Sequence, residues 1–508
     1  MHANHFTDYA SAVLDALSRD PGRPALTDAD GRRLSAGQFR DDTYRMTAEL
    51  AARGIGKGST VCLLTGNTPE ALAARYAANL TGARMVYLYD GMAPETLARI
   101  VESVETTALV VDSTRYADAA HLLPLIDVPH VLTLGTAGFG EDLLALSARH
   151  EARRPEPDIG PEDDYCIRYT GGTTGVPKGI RWVHGPFRSV LDRPMPGMGE
   201  PPRYLACTPL GHVAGLFSDW SLYHGGSVVI HRSFDAGNVL ATVGRERITH
   251  FWVVPPQLYQ LIDHPDRTAA DLSSLRRITY GGASASATRL REALAAFGPV
   301  LYGGYGQSEA GMIAQCSPEE HAVTGHGGRI TAGKPASDVE VVIRDEHGTP
   351  LPAGQEGEIT VRSEGVMRGY WKQPELTAQV LKDGWVHTGD VGYLDNKGYL
   401  FVVDRIKDMI IVVGGHVYPA ELEELLLTYP GVAACAVFGV RDADDNEYVH
   451  AALVPAPGDR PDPDGVREFV GEHRGRMYVP SAVHVVGDIP LTPMGKPDRK
   501  RLRERYGA

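Results

Sequence analysis

The sequence predicts an α/β fold: a large domain of mostly parallel sheets covered by helices, then a small α+β module. Three observations carry that prediction. Short apolar runs alternate with helical patterns through most of the first 400 residues, the signature of βαβ units. Past about Gly357 the alternation gives way to hairpin patterns. Finally, 508 residues are more than one ordinary core organises, so two or more domains are expected.

Taken in order, "STVCLLTGN" (59–67) is a strand candidate. "PEALAARYAANLTGA" follows as a helix, with Pro69 suited to its first turn. "ARMVYLYD" (83–90) leads into the helical "APETLARIVESVE", and "TALVVDS" (107–113) is the next strand. The same rhythm returns at "GSVVIHRSF", "ITHFWVVPP" and "LRRITYGGA" (275–283). Between them, the Pro- and acid-rich "EARRPEPDIGPEDD" (151–164) reads as a solvated connector. On such sheets, sites form at loops beyond the carboxyl ends of strands.

"GEITVRS", "GYLDNKGYLFVVDR" and "DMIIVVGG" read as antiparallel hairpins, with Asn396, Lys397 and Gly398 as turn material. "YPAELEELLLTYP" is a helix opened by Pro419, with Leu422, Leu425 and Leu426 on one face. "VREFVGEHR" and the tail from Val483 complete the small module. The domains are expected to run 1–404 and 405–508. No internal repeat or low-complexity segment is visible.

Composition narrows the function classes. Hydrophobic residues make up 43% and charged residues 22%, an ordinary globular balance. A net charge of −14 and a pI near 5.7 disfavour nucleic acid and anionic membrane as partners. The start, "MHANHFTDYASAVLDALSRD", lacks the basic and apolar regions of a signal peptide. No window approaches 18 uninterrupted apolar residues, so membrane insertion is not expected. Cys62, Cys166, Cys207, Cys316 and Cys435 are far apart and show no ligand spacing, as expected of reduced, buried thiols in a cytoplasmic protein.

The segment "YTGGTTGVPKG" (169–179) has almost nothing to pack. It is not a Walker A loop, because Pro177 stands where the last glycine should be. Gly171, Gly172, Gly175 and Gly179 free the backbone to turn N–H groups towards an anion. Thr170, Thr173 and Thr174 add hydroxyls, and Lys178 adds a cation. A Gly/Thr stretch alone would read as linker. The order T-G-G-T-T-G-x-P-K-G is far more specific, and here the chain resembles the ANL superfamily of acyl-CoA synthetases, peptide-synthetase adenylation domains and luciferases. Its signature loop, [ST]-[SG]-G-[ST]-[ST]-G-x-P-K-G, matches throughout. The resemblance implies a cradle for the β- and γ-phosphates of ATP.

Four further segments carry the resemblance in the family's order. "YGGYGQSEAG" (302–311) is similar to Y-G-x-[ST]-E. That implies an adenine-packing aromatic at Tyr305, beside Tyr302 and Gly306. It also implies an α-phosphate hydroxyl at Ser308, where threonine is commoner, and a Mg²⁺ carboxylate at Glu309, since hard oxygen suits that ion. "GGAS" (281–284) resembles the stretch along the adenine, giving Gly281, Gly282 and Ala283. "HTGD" (387–390) implies that Asp390 accepts the ribose hydroxyls, a task for a two-oxygen acceptor; by itself Asp390 would read as a turn residue. "DRIKDMIIVVGGHVYPAELEE" (404–424) resembles the domain hinge. In it Arg405 falls at the ribose and phosphate contact, Lys407 at the pivot, and Gly414 and Gly415 beside the pantetheine path.

"PLTPMGKPDR" (490–499) resembles P-x₄-G-K-x₂-R and makes Lys496 the mobile lysine bridging carboxylate and α-phosphate. The resemblance implies αβαβα sheets and a small β-barrel-like subdomain in the large domain. It also implies a mobile C-terminal lid. The first 160 residues fit the family's N-terminal half without a diagnostic motif.

The implied chemistry is acid activation. A carboxylate repels nucleophiles and its oxide leaves badly. Attack on the α-phosphorus of ATP gives acyl-AMP and pyrophosphate, and AMP then leaves well. Charge gathers on phosphoryl oxygens, so preorganised cations and donors should dominate. The lid would then swing at the hinge, withdrawing Lys496 and admitting a thiol.

"PLGHVAGLF" (209–217) resembles the start of the acyl pocket. Amino-acid-activating relatives place aspartate where Val213 stands, so α-amino acids are disfavoured. His212 reads equally as a gate between pocket and tunnel or as a core histidine, and His184 as structural. Gly303, Gly304, Gly311 and Met312 would wall the pocket, with room for an aryl or medium-chain aliphatic acid. Coenzyme A is the expected acceptor, because "GGH" lies in the hinge segment and no carrier module is attached. The alternatives are a stand-alone ligase loading a carrier protein, capture of the adenylate by an amine or other nucleophile, and a non-catalytic nucleotide-binding relative. Retention of Lys496, Glu309 and Asp390 speaks against the last.

Overall fold

The computed structural model describes residues 6–89, 91–170, 178–193, 195, 201–406, 408–412, 415–442, 446–492 and 495–507. The chain divides into two compact units. One comprises residues 1–253, 264–279 and 364–379, the other 254–263, 280–363 and 380–508.

The first unit is built on the expected βαβ alternation. Strands Arg84–Tyr87, Thr60–Leu64, Ala108–Asp112, His130–Leu134 and Glu141–Asp142 pair in parallel in that order. Asp164–Thr170 joins Arg84–Tyr87 in parallel, and Lys178–Val183 returns antiparallel beside it. Gly369–Tyr370 closes that edge. Thr60–Leu64 and Ala108–Asp112 are buried along their whole length, as strands covered on both faces must be. Helix Pro69–Leu80 starts as its sequence requires: the Thr68 side chain caps the Ala71 N–H and Pro69 occupies the first turn.

A second run of strands in this unit has the order His250–Val253, Arg203–Ala206, Ser227–Ile230, Pro24–Thr27 and Arg33–Ser35. Helices Tyr9–Ser18, Pro69–Leu80 and Val213–Tyr223 bury polar groups as well as apolar ones. Asp219, fully buried, pairs with Arg75 and accepts from the Tyr9 hydroxyl at 2.7 Å and from the Tyr76 hydroxyl. Removing either charge would strand the other without water.

In the second unit, Leu301–Gln307 and Gly311–Cys316 form a hairpin, turned at Gly311 with φ of 68°. Glu340–Arg344, Gly357–Arg362, Trp385–Leu394 and Leu400–Arg405 form an antiparallel sheet with short Leu381–Lys382. The Asn396–Gly398 turn is as expected, Gly398 taking φ of 80° while the Asp395 carboxylate accepts from the Lys397 and Tyr399 N–H groups. Beyond it, strands Val432–Arg441, Glu447–Pro455 and Ala482–Val485 carry helices Pro419–Leu426, Pro463–Arg474 and Arg499–Tyr506. Leu422 and Leu426 sit in that module's core with Val437, Leu453 and Val466, while Leu425 packs on its margin. All five cysteines are free thiols, four buried and Cys435 partly so. Among the described residues, no helix is long and apolar enough to cross a membrane.

Candidate active site

Asp390 organises the second unit's polar cluster. It lies in strand Trp385–Leu394, opposite Arg405 of Leu400–Arg405. Its side chain is buried, yet it makes few internal bonds. Oδ2 accepts from the Tyr305 hydroxyl at 2.7 Å and from Gln307 Nε2 at 2.6 Å. Oδ1 lies 3.1 Å from Arg405 Nε but accepts no hydrogen bond among the described residues. A buried carboxylate oxygen with open lone pairs is costly unless a ligand completes it. A vicinal diol is such a ligand, and the arrangement fits a ribose.

Burial and the adjacent Asp390 carboxylate push the Tyr305 phenol well above its ordinary value, so it stays a neutral donor. Gln307 also donates to the Thr388 carbonyl at 2.9 Å, tying the hairpin to the Asp390 strand. The Glu358 carboxylate in turn accepts from the Gly389 N–H at 3.1 Å and lies 2.7 Å from His387 Nδ1. Gln307 and Glu358 escape the sequence reading. Gln307 stands at the variable position of Y-G-x-[ST]-E, and Glu358 is remote in sequence.

Ser308 and Glu309 follow at the hairpin tip, partly exposed, with Tyr302 and Met312 on its strands. Gly303 and Gly306 are there for space. A Cβ on Gly303 would come within 2.9 Å of the Tyr280 hydroxyl, and one on Gly306 would collide with the Gly311 carbonyl. Gly304 pairs with Gln315 across the hairpin. Gly281 ends strand Arg277–Gly281, and Gly282, exposed with φ of 79°, turns the chain into Ala283. Glu309 offers a single carboxylate. That suits Mg²⁺, which keeps waters and substrate phosphates as its other ligands. Among the described residues, no three His, Cys, Asp or Glu side chains gather as a metal cluster.

Lys496 is partly buried in a tight turn. Its carbonyl accepts from the Thr492 N–H at 2.7 Å, and its N–H donates to the Thr492 hydroxyl at 3.2 Å. Gly495 permits that turn with φ of 75°, and a Cβ there would come within 2.8 Å of Val254. Arg499, three residues on, bonds the Glu423 carboxylate at 2.7 Å and the Val437 carbonyl at 2.9 Å, anchoring the segment to its module.

In the first unit, Thr170 and Lys178 are paired across their strands, and Lys178 Nζ stands 5.8 Å from the Tyr370 ring centroid. Gly171, Gly172, Thr173, Thr174 and Gly175 lie outside the described residues, as do Lys407 and Gly414; Gly415 begins strand Gly415–Val417. His212 precedes helix Val213–Tyr223, its ring stacked on Tyr89 at 4.1 Å and 14°. Both His212 and Val213 are partly exposed. His184 is fully buried with neither ring nitrogen bonded among the described residues, and burial lowers its pKa to about 4, as a neutral structural histidine requires.

The class defined by this fold and polar cluster is that of adenylate-forming enzymes. Residues 14–371 match the AMP-binding enzyme family and residues 421–496 its C-terminal domain, so the chain belongs to that family. It is 34% identical to a medium/long-chain fatty acid–CoA ligase of Mycobacterium tuberculosis, over 97% of this chain and 89% of that protein. The amide bond synthetase McbA from Marinactinospora thermotolerans is 38% identical, with a TM-score of 0.88 over 98% of this chain and 99% of that one. An O-succinylbenzoate coenzyme A synthetase from Bacillus subtilis, solved with ATP and magnesium ion, is 27% identical with a TM-score of 0.81, covering 97% and 99%.

Proposed function

We propose that the chain is an AMP-forming acid:CoA ligase. It joins an aryl or medium-chain aliphatic acid to AMP with release of pyrophosphate, then passes the acyl group to coenzyme A. The observation that carries this reading is Asp390: a buried carboxylate holding Tyr305 and Gln307 on one oxygen, its other oxygen beside Arg405 and accepting no hydrogen bond among the described residues. That is a ribose acceptor in a chain of this family.

The residues divide the work by chemistry. Asp390 and Arg405 hold the ribose, with Tyr302, Tyr305, Gly306, Gly281, Gly282 and Ala283 along the base. Thr170, Gly171, Gly172, Thr173, Thr174, Gly175 and Lys178 supply donors for the polyphosphate. Ser308 donates to the α-phosphate and Glu309 holds Mg²⁺, which would neutralise phosphate charge. Lys496 steadies the attacking carboxylate and the α-phosphoryl oxygens where charge builds. His212, Val213, Gly303, Gly304, Gly311 and Met312 shape the acid pocket. Residues 1–404 and 405–508 act as body and lid, with Lys407 as pivot and Gly414 and Gly415 leaving room for a thiol.

Pyrophosphate release is the test, measured over a panel of acids with and without coenzyme A. Acid-dependent release that coenzyme A accelerates is expected. Release of ADP instead of pyrophosphate, or none with any acid, ends the proposal. Capture of the adenylate by an amine is the second reading, favoured by the likeness to an amide bond synthetase. It predicts amide formation when an amine replaces coenzyme A. Loading of a carrier-protein thiol would show as acylated carrier in the same assay.

A further inference from the structure

Arg168 pairs with no carboxylate among the described residues. It lies near the carboxyl end of strand Asp164–Thr170, immediately before the glycine-rich segment that starts at Tyr169. Ile167 and Tyr169 point into the core with Leu64, Leu88 and Val111, so alternation sends Arg168 to the opposite face. The parallel register, Met85 to Cys166 and Val86 to Ile167, brings Tyr87 alongside it.

Its described surroundings are aromatic apart from the Cys166 thiol, which hydrogen-bonds with it. The guanidinium sits 5.1 Å from the Phe187 ring centroid, and its electrostatic neighbours are Cys166, Tyr89, Tyr165 and Tyr87. Nε is buried and bonds to nothing among the described residues, and no described carboxylate pairs with it. Other arginines nearby are treated differently: Arg75 has Asp219, and Arg84 and Arg181 share Asp164. An arginine taken from water without an acid is expensive, and its five fork-shaped donors are suited to a planar pair of acceptor oxygens.

A run of stacked rings leads from its neighbour Tyr87 to His212. Tyr87 and Tyr89 stack at 6.3 Å, and Tyr89 stacks in turn on His212. Gly211 lets these rings approach, since a Cβ there would meet Tyr87 at 3.0 Å and Tyr89 at 3.2 Å. Arg168, His212, Val213 and Leu216 all keep partial exposure.

We infer that Arg168 is a specificity residue that takes an anionic or strongly accepting oxygen on the part of the acid remote from its activated carboxylate. The inference rests on the acid-activating reading and deepens it: the substrate class is a two-headed acid, such as a dicarboxylate or an oxygenated ring acid. A nucleotide phosphate shares that chemistry, and the test separates the two sources.

Pyrophosphate release by the full chain is measured with three matched pairs: terephthalate and 4-methylbenzoate, 4-carboxycinnamate and cinnamate, adipate and hexanoate. The wild type is expected to prefer the two-headed member of at least one pair. In Arg168→Met the ratio of the two kcat/KM values should fall by about 30-fold or more, as when a site's polar group loses its match. Arg168→Lys should recover part of that ratio, and KM for ATP should stay within about twofold in both. Arg168→Lys, which keeps the charge, also serves if the methionine variant lacks a normal melting transition. A wild type that prefers the one-headed acids, or a ratio that survives in the variants, overturns the inference while leaving acid activation intact. So does a rise in KM for ATP with every acid alike, which would assign Arg168 to phosphate. No pyrophosphate with any acid overturns the activity reading and this inference with it.

Discussion

The Tyr305 hydroxyl donates to the Asp390 carboxylate at 2.7 Å across 85 residues of sequence, while the other carboxylate oxygen lies 3.1 Å from Arg405 Nε and accepts no hydrogen bond among the described residues. The pair is a preorganised acceptor, held by a neutral phenol and by the amide of Gln307.

Removing that acceptor should weaken nucleotide binding more than removing its support. Hydrogen bonds to a charged group contribute about 1.5–3 kcal/mol each. Asp390→Ala should therefore lower ATP affinity roughly 10- to 100-fold, and Tyr305→Phe, which keeps the ring, less than about tenfold. Calorimetric titration with ATP measures both; equal losses would refute the division of roles.

Lys496 should matter to one half-reaction. Lys496→Ala is expected to slow pyrophosphate release about 10²–10³-fold, the loss that follows removal of one transition-state donor. Transfer from supplied acyl-adenylate to coenzyme A should be spared. Gly495→Ala should act in the same direction, because its φ of 75° disfavours a side chain and its Cβ would come within 2.8 Å of Val254. Near-normal adenylation by Lys496→Ala would contradict its role.

Glu424 docks one helix on the start of another. Its carboxylate accepts from the Ala287 N–H at 2.9 Å, the Thr288 N–H at 3.0 Å and the Thr288 hydroxyl at 3.1 Å. An anion at the N-terminus of helix Ala287–Phe297 is favourable. If this contact holds the lid for adenylation, Glu424→Ala should slow pyrophosphate release by roughly tenfold and leave thioester formation from supplied adenylate unchanged. Equal slowing of both steps would show that Glu424 serves stability alone.

Asp404 should make stability fall with rising pH. Burial raises its pKa to about 6, against the N–H groups of Ala420 and Arg405 and the nearby Arg499 charge, which lower it. Because the folded chain binds the proton more tightly than the unfolded one, Asp404 favours folding at low pH. That advantage disappears as pH climbs from about 4 to about 6. The difference amounts to about 3 kcal/mol. Denaturant unfolding of wild type and Asp404→Asn between those limits should show the wild type losing ground to the variant. A pH-independent difference would remove Asp404 as the cause.

Much of this was legible in the chain itself. The strands at Thr60–Leu64, Arg84–Tyr87 and Ala108–Asp112, the Pro69 helix start and the Gly398 turn all follow from local periodicity and turn chemistry. Those signals act within a few residues. Asp390, Tyr305, Lys496 and Arg405 stood out because their motifs keep fixed order and spacing.

Partnership was decided only by tertiary structure. Nothing near Gln307 in sequence announces Asp390, 83 residues away, and nothing near Glu424 announces Thr288. Sheet register and helix docking bring these groups together, and no local pattern encodes register between distant strands. The same holds for what is missing: Arg168 reads as one more charged residue until the fold turns it onto an aromatic face and gives the neighbouring carboxylate, Asp164, to Arg84 and Arg181. The sequence determined which chemical groups this chain carries; the fold decided which of them remain unsatisfied, because satisfaction depends on distances that only packing sets.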